Sequence, residues 1–335
     1  MKLFQRLLVA PAALGLMAPV AVNADTAFSS TTSLSGGAYF TVGSVSDGGT
    51  ADTEEELYMQ YAYGLDVTSS FTGEDLLTAG IVTGNASGPL ASMDSAVEGS
   101  GALNVHSLFY SFPVGDLEVT AGPLVDQDDV VAATTSAYSD AFRLGSMPYS
   151  LAGNETGPGV AVAYSNDNGV VASISYVSVG GSSSTVGIGA DDGDDVSTFT
   201  VGYNGDGFGG GLVLATNDGE AGEGYDTLGG GIYYSPESID ATFSVAYDTT
   251  DPETGADATD LFVGVDYEVG PGTLSAAYNS TDIDGSDSED STGFEVSYSY
   301  GLNDYVSVTA GFFTVEDTST GDDDTGVVAE TYFSF

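Results

Sequence analysis

IDATFSVAYDTTDPETGADATDLFVGVDYEV, residues 239–269, sets out the plan of the whole chain. Ile239, Ala241, Phe243, Val245 and Tyr247 fall on one side of a period-2 pattern, and Leu261, Val263, Val265, Tyr267 and Val269 repeat it after an acidic connection. That period puts successive side chains on opposite faces of a strand, here one apolar and one polar. Gly270-Pro271-Gly272 follows as a tight turn, so the order is strand, long acidic loop, strand, short turn.

The same beat extends in both directions. Phe294, Val296, Tyr298 and Tyr300 make one apolar face, and Val306, Val308, Ala310 and Phe312 another. The chain ends on GVVAETYFSF, with Val327, Ala329, Thr331, Phe333 and Phe335 in phase. Strands are expected near 33–42, 56–68, 75–84, 102–112, 116–122, 158–166, 169–179, 196–204, 207–216, 226–235, 239–248, 259–268, 272–281, 292–301, 304–315 and 326–335. Short turns (PVG at 113, NDNG at 166, NGDG at 204, SPES at 235) alternate with long acidic loops (GADDGDD at 189, NDGEAGEG at 217, DIDGSDSED at 282, EDTSTGDDDTG at 316). That rhythm predicts an all-β fold, a transmembrane antiparallel β-barrel of about sixteen strands. Closure leaves no free edge in lipid, where each backbone N–H and C=O must be paired within the protein. Apolar faces then look out at lipid and polar faces line the lumen. Tyr63, Tyr203, Tyr247, Tyr267 and Tyr300 at strand ends suit an interfacial aromatic girdle.

Composition narrows the function. The formal net charge is −47, and only three residues are Lys or Arg. Such a surface repels phosphate backbones and excludes nucleic acid as a partner. There is no cysteine for a disulfide framework or a thiolate metal site. Residues 1–24 read as a signal peptide: Lys2 and Arg6, an apolar run broken by Pro11, Gly15 and Pro19, then Val22-Asn23-Ala24 as a small-residue cleavage site. The expected mature chain is one barrel domain over 25–335, in which Arg143 is the sole Lys or Arg.

Two segments carry a family resemblance. TSSFTGEDLLTAGIVTGN (68–85), through Ser70 to Leu77, and YSYGLNDYVSVTAGFF from Tyr298, with Asn303 and Asp304 at its turn, resemble the Som-type porins of cyanobacterial outer membranes, in the carbohydrate-selective OprB-like porin superfamily. The resemblance implies a passive outer-membrane channel, a homotrimer, and uptake by barrel-assembly machinery that reads Phe333 and Phe335. It also implies that the longest connection, 123–157, folds inward and narrows the pore. Family members usually carry an N-terminal S-layer-homology domain; here strands start soon after Asp25, so cell-wall anchoring is not expected. Glu74 and Thr78 stand where the family pattern leads one to expect Lys and Arg, which shifts the expected selectivity.

The loop contains Asp126, Asp128, Asp129, Asp140 and Arg143, with Arg143 expected to face acids and pin the loop by charge-assisted hydrogen bonds. Asp66, Glu118, Asp240, Asp266, Glu268, Glu295 and Glu330 fall in lumen phase, and carboxylates with almost no counter-charge favour cations. Asp282, Asp284, Asp287 and Glu289 are hard oxygen ligands close together, but Asp287 sits where an EF-hand loop needs glycine, so they are weak calcium candidates. No cofactor is expected, and the glycines of GFGGGL match no phosphate loop. His106, the sole histidine, precedes Ser107; strand alternation predicts opposite faces for the two, so no nucleophile–base pair and no enzyme. The expectation is a cation-preferring outer-membrane porin for ions and small hydrophilic solutes. The alternative is an exported acidic surface protein or adhesin without a pore.

Overall fold

The computed structural model describes residues 31–47, 56–142, 144, 155–190, 193–219, 224–285, 290–317 and 322–335. Residues 1–24, expected to be a signal peptide, and Arg143, Asp287 and Glu289 lie outside them. Sixteen strands run in order: β1 (Thr32–Asp47), β2 (Tyr58–Ser69), β3 (Leu76–Gly84), β4 (Asn104–Val114), β5 (Leu117–Asp126), β6 (Thr156–Ser165), β7 (Val170–Ser178), β8 (Asp195–Gly205), β9 (Phe208–Asn217), β10 (Tyr225–Tyr234), β11 (Ala241–Pro252), β12 (Ala258–Val269), β13 (Gly272–Ile283), β14 (Ser291–Asn303), β15 (Val306–Asp317) and β16 (Asp322–Ser334). Each pairs antiparallel with its sequence neighbours, and β1 pairs with β16, so the sheet closes into a barrel.

The terminal residue completes that closure. The Phe335 N–H donates to the Gly36 carbonyl at 3.1 Å and the Gly36 N–H to the Phe335 carbonyl at 2.9 Å. The Phe335 ring stacks on Tyr63 with centroids 5.9 Å apart, and Phe333 meets Phe40 at 5.1 Å. A Cβ on Gly36 would come within 2.9 Å of the Phe335 ring, so the smallest residue leaves the aromatic its seat.

Alternation sorts the wall as the sequence predicts. Phe243, Val245 and Tyr247 are exposed on the outside of β11, whereas Ser244, Ala246 and Asp248 between them are buried on the inside. Val327 is 66% exposed beside buried Val328. An apolar exterior around a polar interior is stable with lipid outside and water within.

Strands at the long-loop end run further than expected. β1 continues to Asp47, β11 to Pro252, and β16 begins at Asp322, where Glu316 pairs with Asp323 and Val315 with Asp324. Segments whose composition reads as loop are carried as strand by their partners across the ladder. Register shifts cluster in the β3–β6 sector, at Gly80/Ile81, Leu108/Tyr110 and Gly122/Val125, with a further one at Gly301/Asn303 between β14 and β15.

At the opposite end, the segment Ser70 to Leu77 is a self-capped turn. Asp75 Oδ1 accepts from the Ser70 hydroxyl and the Phe71 and Thr72 N–H groups, each at 2.8 Å, and Tyr110 donates its hydroxyl to Oδ2. Gly73 turns at φ 94°, a left-handed conformation that glycine takes at little cost.

Candidate permeation site and its inserted loops

β5 and β6 extend to Asp126 and from Thr156, so the loop expected at 123–157 spans 127–155. Its base is drawn shut. Asp126 Oδ2 accepts from the Thr156 hydroxyl at 2.8 Å, its Oδ1 from the Asp128 N–H at 3.0 Å, and the Gln127 N–H donates to the Glu155 carbonyl at 2.9 Å. The chain then travels around the inner wall. Gln127 Nε2 donates to Thr198 on β8, and the Ala132 N–H to Ser173 on β7. The N–H groups of Thr134, Ala137 and Ser139 donate in turn to Asn204 on β8, Ser244 on β11 and Asp266 on β12, each at 3.0 Å. Glu295 on β14 then accepts the Tyr138 hydroxyl at 2.8 Å and the Leu144 N–H at 3.0 Å.

Glycine decides where that path can lie. A Cβ on Gly211 would stand 2.5 Å from Ala133, on Gly231 2.3 Å from the Thr135 carbonyl oxygen, on Gly264 2.7 Å from Tyr138, and on Gly311 2.9 Å from Phe142. These glycines belong to β9, β10, β12 and β15 and form a lane with no side chains, into which the loop settles. Atoms without a Cβ between them approach within van der Waals contact, so each glycine brings the loop closer to the wall and leaves more of the lumen open.

A second inserted segment, with no counterpart in the sequence-based reading, lies between β3 and β4. It includes a short 3-10 turn at Gly88–Ser92 and covers the inner faces of β1, β2 and β16. Leu90 and Met93 bury against Val45, Phe313 and Val328 of the wall, together with Phe142 of the first loop. Among the described residues the two segments are joined at the Asp94 N–H, which donates to the Phe142 carbonyl at 2.6 Å.

The expected site residues separate accordingly. Asp66 and Asp266 are half-buried on the inner wall, and Glu118, Asp240 and Glu268 are exposed near the short-turn rim. Glu295 and Glu330 share that inward phase but are covered: Glu295 is 0% exposed beneath the first loop, and Glu330 accepts from Thr41 at 2.8 Å and from Ser95 of the second. They hold loops where the sequence reading has them lining water. Asp126, Asp128 and Asp140 are buried, and Asp140 takes φ 47°. Burial, and then the charges of Asp126, Asp128 and Asp66, push the Asp129 carboxyl up to about 8. The Tyr138 phenol is also raised, by burial and then by the Glu295 carboxylate. Asp248 and Asp260, opposed across β11 and β12 and both buried, extend the acidic wall beyond the residues expected.

Opposite faces for His106 and Ser107 do not hold. At the Gly80/Ile81 register shift His106 falls in a bulge, its ring packs over Gly80, and its Nδ1 lies 2.8 Å from Ser107 Oγ. An extra residue suspends alternation locally and brings the neighbours to one side. Ser107 is 1% exposed, so its hydroxyl is closed to any substrate as a nucleophile. Asp282 lies on β13, and the Asp284 N–H donates to the Asp257 carbonyl at 2.9 Å; among the described residues no three His, Cys, Asp or Glu side chains gather to hold a metal.

No family model and no curated protein matches the sequence. Solved structures do. OprB from Pseudomonas putida, in its high-pH structure, gives a TM-score of 0.68 at 10% identity, over 91% of this chain and 94% of that one. The anion-selective porin from Comamonas acidovorans gives 0.62 at 16% identity, over 91% and 99%. A mutant of the Rh. blastica porin gives 0.58 at 16% identity, over 91% and 100%. At such identities the likeness is one of fold, and the fold is the closed sixteen-stranded barrel of outer-membrane porins.

Proposed function

We propose that the chain is an outer-membrane porin: a passive diffusion channel for ions and small hydrophilic solutes that prefers cations. The observation that carries this reading is a closed barrel, apolar outside, whose lumen is narrowed by an inserted loop and walled by acids. Asp66, Asp266, Glu118 and Glu268 on the wall, with Asp126 at the head of the loop and Asp128 and Asp140 within it, set a negative potential along the path, to which Asp129 adds as it ionises near pH 8. The Comamonas structure of the same fold is named for anion selectivity; with three Lys or Arg against fifty Asp or Glu, this chain is built for the opposite sign. Inorganic cations are its first permeants, and small sugars pass as uncharged hydrophilic solutes. Export by residues 1–24, a homotrimer in outer-membrane lipid, and recognition of Phe333 and Phe335 by assembly machinery complete the reading.

The test is the reversal potential of detergent-purified mature protein in a planar lipid bilayer under a salt gradient. Stepwise currents with a cation-selective potential are expected. An anion-selective potential overturns the role of the acidic wall, and a detergent-free soluble protein without current overturns the channel in favour of an acidic surface protein.

A further inference from the structure

Among the described residues, the hydrogen bonds of the loop 127–155 to the inner wall run from β7 to β14, and its packing continues over β15 to the cluster around Phe142. The β3–β4 segment lies over the neighbouring sector of β16, β1, β2 and β3. Tyr58 on β2 donates to the Ser87 carbonyl at 3.2 Å and accepts the Leu90 N–H at 2.8 Å, while Gln60 Nε2 donates to the Leu90 carbonyl at 2.8 Å. The Ala86 N–H donates to the Val97 carbonyl at 3.1 Å, and Val97 buries against Tyr39, Ala62 and Val82. Near the far end of this seat Glu330 accepts from Ser95 and Thr41 through one oxygen, Oε2. A buried carboxylate is expensive unless charge-assisted hydrogen bonds satisfy it, so holding the segment in place and satisfying Glu330 are one event.

We infer that residues 86–97 are a second constriction element, and that Glu330 is a positioning residue that fixes it through Ser95 and thereby sets the bore jointly with the first loop. The inference rests on the channel reading above. Leu90, Met93 and Phe142 form a dry plug with the wall, and the Asp94–Phe142 hydrogen bond couples the two elements, so neither edge of the opening is free to move alone. Permeants pass through what the pair leaves open, and the uncharged dimension of selectivity, solute size, belongs to Ser95 and Glu330 as much as to the longer loop.

Glu330→Ala, Ser95→Ala and a variant with 87–96 replaced by a short Gly-Ser link separate this role from a charge effect. Glu237→Ala, an exposed acid in the β10–β11 turn, removes one charge far from both loops and serves as the control. Each is compared with the wild type in planar bilayers for single-channel conductance and for the largest poly(ethylene glycol) that enters. Glu330→Ala and the shortened variant are expected to raise conductance about twofold and admit a larger polymer, with Ser95→Ala moving the same way and Glu237→Ala leaving both unchanged. Ser95→Ala and the shortened variant decide the matter if Glu330→Ala fails to form a barrel. An unchanged polymer limit in a conducting barrel lacking 87–96 overturns this inference alone. No current from the wild type overturns the channel reading, and this inference with it.

Discussion

Replacing Gly231 with alanine adds one methyl group to the wall under the first loop. Its Cβ would stand 2.3 Å from the Thr135 carbonyl oxygen and 3.1 Å from the Ala246 Cβ. A backbone oxygen cannot swing aside as a flexible side chain does, so the loop must lift by about 1 Å to restore van der Waals contact. Thr135 sits between two anchors, the Thr134 N–H on Asn204 and the Ala137 N–H on Ser244, both at 3.0 Å. A lift of that size carries both past hydrogen-bonding range, at about 1 kcal/mol each. A loss of about 2 kcal/mol shifts the balance between seated and lifted loop about thirtyfold. Strand pairing is untouched, so thermal unfolding of the barrel should be near that of the wild type. Single-channel records of Gly231→Ala are expected to show frequent excursions between levels where the wild type holds one. Gly301→Ala is the control, because its Cβ meets only the Asn303 carbonyl oxygen, at 4.0 Å. Records from Gly231→Ala that match both wild type and Gly301→Ala would refute the claim that glycine seats the loop.

Three further outcomes follow from the same contacts. Burial holds Asp129 in its acid form, so the folded protein carries one more proton than the unfolded chain from about pH 4 to about pH 8; the stability of the loop seat falls as pH rises across that window, while the emerging charge increases cation preference in reversal potentials, and Asp129→Asn makes the residue's contribution to both flat. Glu295→Ala strips the acceptor from the Tyr138 hydroxyl and the Leu144 N–H, weakening the loop's hold by about 3 kcal/mol and exposing 127–155 to limited proteolysis, and Glu295→Gln falls between it and the wild type. Phe335→Ala removes the ring that stacks on Tyr63, lowering barrel stability in refolding titrations by about 1 kcal/mol and its yield in outer membranes further; an unchanged yield would show that the terminal aromatic is not read during assembly.

The strands were legible because burial on one side only imprints period 2, and faces such as Phe243, Val245 and Tyr247 carry it without interruption. Strand ends were less so: Asp322 to Asp324 look like loop by composition, and only their pairing with β15 makes them strand. Asp248 continues the inward phase of Ser244 and Ala246, but it heads the acidic run DTTDPETGADATD, whose composition masks that phase. Phase identified Glu295 and Glu330 as inward but could not say what covers them, since that depends on loops meeting the wall from distant parts of the sequence. The glycines at 211, 231, 264 and 311 resemble ordinary small strand residues until the loop is laid across them. His106 and Ser107 defied alternation because a bulge is a property of two strands in register, invisible in either alone.

The glycine lane also constrains how this protein can change. Wall and loop touch at Gly211 with Ala133, Gly231 with Thr135, Gly264 with Tyr138 and Gly311 with Phe142, pairs separated by 78 to 169 positions along the chain. A larger residue at any of these wall positions becomes tolerable only with a smaller or displaced partner in the loop, so substitutions on the two sides must arrive together or in compensating order. Descendants of this sequence should therefore show linked changes across those distant pairs, while outward residues such as Ile232 and Leu212 drift freely among apolar types. Grafting the loop onto another sixteen-stranded barrel would fail for the same reason unless the lane were transplanted with it.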